Sequence, residues 1–245
     1  MCSTRSRCWL AQMPWLARTQ RSTWPSSLGR TNDPLPGVNP AVRPILLATS
    51  NPAKAAKLRW LLDGLPFSPE DLSTHQQVQL PDETGGSFAA IARLKAEAAS
   101  AAFGGLVLAS DGGVIIPALG AAWEPLRTGR AAGPGATDAD KAHHLLRLMQ
   151  GLTGPDRMVQ WYEAVALADR GALVAAWEAA ETRGQLTESY DPANAKAGFW
   201  VDSLWLFPKL GRRYVDLTSA ELEAADGTWM ALRTAVQVWA GGRKS

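Results

Sequence analysis

Ile45-Leu46-Leu47-Ala48-Thr49-Ser50-Asn51-Pro52-Ala53-Lys54 is the stretch on which the architecture of this chain turns. Four consecutive apolar residues have the composition of a buried strand, the next four make a polar turn, and Leu58, Leu61 and Leu62 then fall on one face of a helix. A strand that feeds a helix through a short turn is the repeating unit of α/β proteins. Downstream the alternation continues. Residues 87–102 are rich in Ala, place Phe88, Ile91 and Leu94 toward a core, and stop at Gly104-Gly105, which predicts a second helix followed by a buried strand over 106–109. Thr137 with Asp138 and Asp140 starts a third helix that reaches Met149. Residues 158–168 and 172–181 read as strands joined by a hairpin turn at Asp169-Arg170-Gly171, with helix as the alternative because Ala is a weak strand former; residues 199–207 read as an aromatic extended segment, and 228–240 as a closing helix. The expected class is α/β with a mixed twisted sheet flanked by helices.

The chain has 245 residues, of which 46% are hydrophobic and 20% charged, which is the composition of a globular protein with a sizeable core. Its formal charge of +2 lacks the basic excess of a protein held to nucleic acid through phosphates, so no nucleic-acid partner is expected. No apolar run approaches the ~20 residues that span a bilayer, so no membrane partner is expected either. The two cysteines, Cys2 and Cys8, precede the body, which leaves it without thiols for a disulfide or a zinc site and suits a cytoplasmic setting. Three histidines, His75, His143 and His144, are too few for a His-rich centre, so any metal chemistry rests on oxygen ligands.

Residues 1–43 differ from the rest. Arg5, Arg7, Arg18, Arg21, Arg30 and Arg43 stand against the single acid Asp33, with no sustained period. Three readings are open for this segment: a disordered basic tail, an organellar transit peptide, or translated upstream sequence with initiation near Val38 or Val42. Residues 44–245 form the expected folded domain.

Three turns carry candidate chemistry. Thr49, Ser50, Asn51 and Lys54 lie where a helix N-terminus offers free N–H groups to a phosphate, with Lys57 adding charge on the same face; the same residues also make an ordinary helix cap. Ser110-Asp111-Gly112-Gly113 follows a strand, at the end where α/β proteins place ligands, so Asp111 could bind Mg²⁺ or accept a proton from water; taken alone, Asp-Gly-Gly reads more plainly as just a turn. Glu83, just before the second helix, offers another hard oxygen, and Lys95 a further cation; acidic capping of that helix is the plainer alternative. Phe199 and Asp202 would give a nucleobase a flat surface and a carboxylate at its edge, unless they simply belong to an aromatic core strand.

In order, these segments resemble the inosine triphosphate pyrophosphatase (Ham1-like) family, house-cleaning enzymes that hydrolyse non-standard purine nucleoside triphosphates to a monophosphate and pyrophosphate. The likeness spans residues 44–240. The family's T-G-N-x-x-K turn is similar to residues 49–54, its E-T-G-x-[ST]-F-x-x-N-A-x-x-K-A segment to residues 83–96, its A-D-D-S-G-L motif to 109–114, its S-A-R-Y-[AS]-G to 128–133 and its G-F-G-Y-D-P to 198–203. The resemblance implies two lobes around a central nucleotide-binding cleft. It further implies that Thr49, Ser50, Asn51, Lys54 and Lys95 cradle the triphosphate beside Gly112, that Glu83 and Asp111 hold Mg²⁺, and that Asp111 is the catalytic base. Phe199 would stack on the nucleobase, with Asp202 and Arg233 at its edge. A homodimer is implied as well.

Departures from the pattern concentrate near the metal and the base. Lys57 stands where the family has glutamate, Ser110 where it has the first aspartate of A-D-D-S-G, Ile91 where it has asparagine, and Leu232 where it has the histidine of S-H-R; the lysine that precedes S-H-R has no counterpart. They imply a changed base preference, extending to modified pyrimidines or smaller nucleotides. The contrasting reading is a catalytically degenerate nucleotide-binding or interaction protein on the same scaffold.

Overall fold

The computed structural model describes residues 42–198 and 200–242, so the expectations for residues 1–41 lie outside the described residues. In chain order the elements are β1 (Arg43–Leu47), α1 (Pro52–Leu62), β2 (Phe67–Asp71), α2 (Phe88–Phe103), β3 (Leu106–Ile115), α3 (Asp138–Leu148), β4 (Met158–Asp169), β5 (Ala172–Ala179), β6 (Arg183–Leu186), β7 (Trp205–Phe207), β8 (Arg212–Arg213), α4 (Ser219–Ala225) and α5 (Gly227–Gly241). The strands join in one mixed sheet of order β2-β1-β3-β4-β6-β7-β8, with β5 also pairing β4. β1 is parallel to β2 and β3, and the remaining pairings are antiparallel. None of the described helices is long and apolar enough to cross a membrane.

Local chemistry sets the boundaries. Asn51 caps α1, its side-chain oxygen accepting from the N–H groups of Ala53 and Lys54 at 2.8 and 3.4 Å, and Pro52 opens the helix where its missing N–H costs nothing. Thr137 and Asp140 form a reciprocal capping box on α3. Arg170 and Gly171 both take positive φ (48° and 86°), which lets two residues close the β4–β5 hairpin with the twist its strands need. α2 buries Phe88, Ile91, Ala92, Ala96 and Ala99, and the three alanines let the helix lie close on the sheet.

Two expectations are corrected. Residues 110–113 are not a turn: β3 continues through them, paired with β4 without interruption from Leu106↔Asp169 to Ile115↔Gln160. Gly112 and Gly113 serve close packing here. A Cβ on Gly112 would lie 2.1 Å from the Glu163 carboxylate and 2.5 Å from the Tyr162 carbonyl, and one on Gly113 would lie 2.5 Å from the Pro125 carbonyl. Nor is 199–207 extended throughout, since Asp202–Leu204 is a 3₁₀ turn and only Trp205–Phe207 is strand. The Ser203 hydroxyl donates to the Trp200 carbonyl at 2.6 Å and the Leu204 N–H to the Val201 carbonyl, local bonds that compete with a sheet ladder.

Two apolar clusters flank the middle of the sheet. One gathers Leu58, Leu61, Leu106, Leu108, Val165, Leu167, Trp229 and Leu232 from α1, β3, β4 and α5. The other gathers Val114, Leu145, Met149, Val159, Trp200, Leu204 and Trp205. Each buried Leu or Val contributes roughly 1.5–3 kcal/mol relative to exposure, so each lobe has its own anchor. β3 and β4 run through both clusters, and their central residues 110–112 and 163 lie between them.

Gly113→Ala tests the close packing of β3. The rigid Pro125 carbonyl cannot yield cheaply, so a loss of about 1–3 kcal/mol is expected from the urea unfolding midpoint.

Candidate active site

A cavity of about 500 Å³ opens between the lobes, where β1 ends at Leu47 and leaves the middle of β3 uncovered. Its walls include Thr49, Ser50, Asn51 and Lys54 from the β1–α1 turn, Glu83, Lys95 from α2, Ser110, Asp111 and Gly112 from β3, and Asp202.

Lys95 sits on the buried face of α2 and brings its ammonium into the cavity wall, donating to Asp111 Oδ1 at 2.8 Å and pairing with Glu83 Oε1. Arg130 donates to the other Glu83 oxygen at 2.7 Å. Burial works to raise the Glu83 pKa, but the hydrogen bond and charge of Lys95, with Arg130 and Lys54 behind them, hold it below the ordinary glutamate value. Burial likewise disfavours the charged Lys95, yet Asp111 and Glu83 together hold its pKa above the usual lysine value. For Asp111 burial prevails over Lys54 and Lys95 and raises its pKa. Lys54 leaves the first turn of α1 for Glu163 of β4, with its Nζ 3.4 Å from Oε1.

Glu163 is fully buried, and its Oε2 accepts from the Trp161 indole at 3.0 Å. Burial raises its pKa, with Lys54 the main opposing charge. Sequence reasoning passed over this residue as part of a strand. The available signal was an acid inside an otherwise largely apolar run, Trp161 to Ala168, where an uncompensated charge would be costly.

At the far end of the cavity Lys57 donates to Tyr214 and Asp226 at 2.7 and 2.8 Å, Tyr214 donates to Asp226 at 2.7 Å, and Thr182 donates to the other Asp226 oxygen at 2.7 Å. Burial, reinforced by the charges of Asp202 and Asp226, raises the Tyr214 pKa, so the phenol stays protonated and donates. Lys57 is therefore committed to this buried acid.

Several expected site residues need comment. Asn51 is the α1 cap, and its Nδ2 also donates to the Gly198 carbonyl at 3.4 Å; Asp138 accepts from the Gly198 N–H at 2.7 Å. Phe199 lies outside the described residues. Arg233 does not reach the cavity: its guanidinium lies 4.4 Å from the centre of the Trp60 ring and its Nη2 is 3.4 Å from Asp63 Oδ2. The register of α5 explains this, because Leu232 is packed into the core and turns the next residue outward against α1. Gln237, one turn on, donates to the carbonyls of Leu61 and Asp63 at 3.4 and 3.0 Å.

The donor set suits a hard divalent cation. Glu83, Asp111 and Glu163 are carboxylates facing one cavity, and Glu163 Oε1 accepts no hydrogen bond. Among the described residues no three acidic, His or Cys side chains converge on a single point, and the Lys95 ammonium stands between Glu83 and Asp111.

The sequence profile of the Ham1 family matches residues 45–238, nearly the whole described chain. This chain belongs to the Ham1 family. A dITP/XTP pyrophosphatase from Exiguobacterium is 32% identical over 191 residues, covering 77% of this chain and 93% of that protein. One from Rhodopseudomonas palustris is 34% identical over 185 residues, covering 72% and 83%. Among solved structures, a HAM1 protein from Coxiella burnetii superposes with a TM-score of 0.66 at 25% identity, covering 80% of this chain and 98% of that one. The Ham1 protein of Staphylococcus aureus shares the fold with a TM-score of 0.66 at 21% identity. The mixed sheet flanked by helices is thus the Ham1 architecture.

Within this Ham1 site, burial pushes the Asp202 carboxyl up to about 7, with Lys57 and Lys196 drawing it down and Asp226 and Glu163 pushing it further up. Its unfolded value is about 4, so over that interval the native state binds the proton more tightly than the unfolded chain. Stability from this group is then fully present below about pH 4 and is lost as pH rises to about 7, beyond which it is constant. Raising the pH from about 5 to about 8 should lower the melting temperature of the wild type relative to Asp202→Asn, measured by differential scanning calorimetry.

Proposed function

We propose that this protein is a nucleoside triphosphate pyrophosphatase that releases pyrophosphate and a nucleoside monophosphate, clearing non-standard nucleotides from the pool. One observation carries the reading: in a chain of the Ham1 family, Lys54, Lys95, Glu83 and Asp111 face one cavity beside the N-terminus of α1. The names of the related dITP/XTP pyrophosphatases support the same reaction class.

In this reading the β1–α1 turn (Thr49, Ser50, Asn51) and Lys54 hold the phosphate chain beside Gly112, with Lys95 offsetting its charge. Water attacks the α-phosphorus, the bond to the α,β-bridging oxygen breaks, and Asp111 takes the proton from the attacking water. Glu83 and Asp111 would hold Mg²⁺, which when bound stabilises charge on the phosphate oxygens. Lys54 and Lys95 neutralise the departing pyrophosphate. The reading includes homodimeric assembly, from the family resemblance, and a cytoplasmic setting, from the position of both cysteines ahead of the folded body.

The base end supports a shifted preference. Arg233 is turned onto Trp60 outside the cavity, Leu232 is core, and Lys57 is bound by Asp226 and Tyr214, so neither Arg233 nor Lys57 is free to meet a nucleobase. Asp202 remains as the polar group at that edge, with Phe199 as the stacking surface in this reading.

The test is pyrophosphate release from ITP, XTP, dITP, GTP, ATP and modified pyrimidine triphosphates at millimolar Mg²⁺. Turnover of at least one of them is expected, falling by about 100-fold or more in Asp111→Asn. Full activity in Asp111→Asn would remove it from the role of base, and silence on every substrate would overturn the reading.

A further inference from the structure

We propose that Glu163 is a cation-binding carboxylate of the cleft, supplied by β4 to take a divalent ion together with the acids already described. Four independent features of the local structure lead there.

Glu163 lies opposite Gly112 in the β3–β4 ladder, so both face the same side of the sheet. The absent side chain at Gly112 creates the space its carboxylate fills, because a Cβ there would stand 2.1 Å from Oε2. The carboxylate therefore leans across β3 toward the cavity, whose wall it forms. It is 0% exposed, a setting in which an acid must be matched by a cation or by hydrogen bonds.

The matching is incomplete. Oε2 has the Trp161 indole, and the Ser110 hydroxyl lies beside the carboxylate, but the one positive charge within 4 Å is the Lys54 ammonium, 3.4 Å from Oε1 and outside hydrogen-bond geometry. Lys54 is also the cation at the first turn of α1, where an anionic phosphate chain would draw it. Once Lys54 turns to phosphate, Glu163 loses its counter-charge inside a dry wall. A divalent cation that accompanies the phosphate chain restores that charge, and a hard carboxylate oxygen with no other cation is the ligand such an ion takes.

Ser110 completes the argument. It is two residues before Gly112, hence on the same face of β3 and diagonal to Glu163, and its buried hydroxyl lies beside the Glu163 carboxylate, whose charged form it favours. An acid at position 110 would face Glu163 as a like charge in a buried space. The Ham1-like motif has aspartate at the place of Ser110, and in this chain Glu163, on the neighbouring strand, supplies a carboxylate to the same part of the cavity wall. This inference rests on the pyrophosphatase reading for the ion's companion, a phosphate chain, but its test does not depend on turnover.

Mn²⁺, which accepts the same oxygen ligands as Mg²⁺, can be titrated into the full chain with the free ion followed by electron paramagnetic resonance. The expected result is measurable binding by the wild type, weakened roughly tenfold or more in Glu163→Gln and largely recovered in Glu163→Gln with Ser110→Asp. An affinity within about twofold of wild type in Glu163→Gln, or a double variant no tighter than the single one, overturns the proposal. If Glu163→Gln does not fold, Glu163→Asp keeps the charge but withdraws it by one methylene; weakened Mn²⁺ binding is again expected, and unchanged affinity overturns the idea. Mn²⁺ bound through Glu163 without pyrophosphate release from any triphosphate would retire the pyrophosphatase reading and leave this inference standing.

Discussion

The antiparallel pairing of β3 with β4 is the constraint from which the rest follows. It runs ten residues on each strand, and its two ends are sealed into different apolar clusters. Neither strand can slip by one residue without turning its apolar side chains out of both clusters at once. The ladder therefore fixes, to within a side chain's reach, where Ser110, Asp111, Gly112 and Glu163 lie relative to one another. Lys54 and Lys95 are positioned directly against that fixed row, and Glu83 through Lys95.

The charges themselves are organised in two closed sets. Lys95 is held by Asp111 and Glu83, and Lys57 by Asp226 with Tyr214 and Thr182. Buried ion pairs of this kind add little net stability, since desolvation offsets most of the attraction, but removing one member leaves an expensive uncompensated charge. Lys54 differs, because its contact with Glu163 is longer and lacks hydrogen-bond geometry. It is the cation with least to lose by turning to a ligand.

Much of this was legible in the sequence, for reasons that differ by element. The β1–α1 unit, α2 and the 169–171 hairpin turn announce themselves because local chemistry and tertiary structure agree there: caps, periodic apolar faces and, at Gly171, a residue suited to positive φ. Residues 110–113 misled because glycine usually marks a turn, and only the partner strand reveals that it is there to admit Glu163 and Pro125. Arg233 misled because motif position says nothing of helix rotation, which Leu232 and the core decide. Glu163 and the Asp226–Tyr214–Thr182 set were missed because their meaning depends on contacts across more than forty residues of chain.

The fastening of α1 to α5 has a mechanical side. Arg233 and Gln237 grip the last turn of α1 and the residue after it, whereas the first turn of α1 borders the cavity. Eleven residues make a rod about 16 Å long, so a tilt of about 5° at the gripped end would swing the cavity end by roughly 1.4 Å. Displacements of that size at a reacting centre alter rates by about 100-fold. The outer face of the molecule, at Trp60 and Arg233, is thus one of the fastenings of the rod that carries Lys54, alongside Lys57 in its middle and Asn51 at its start.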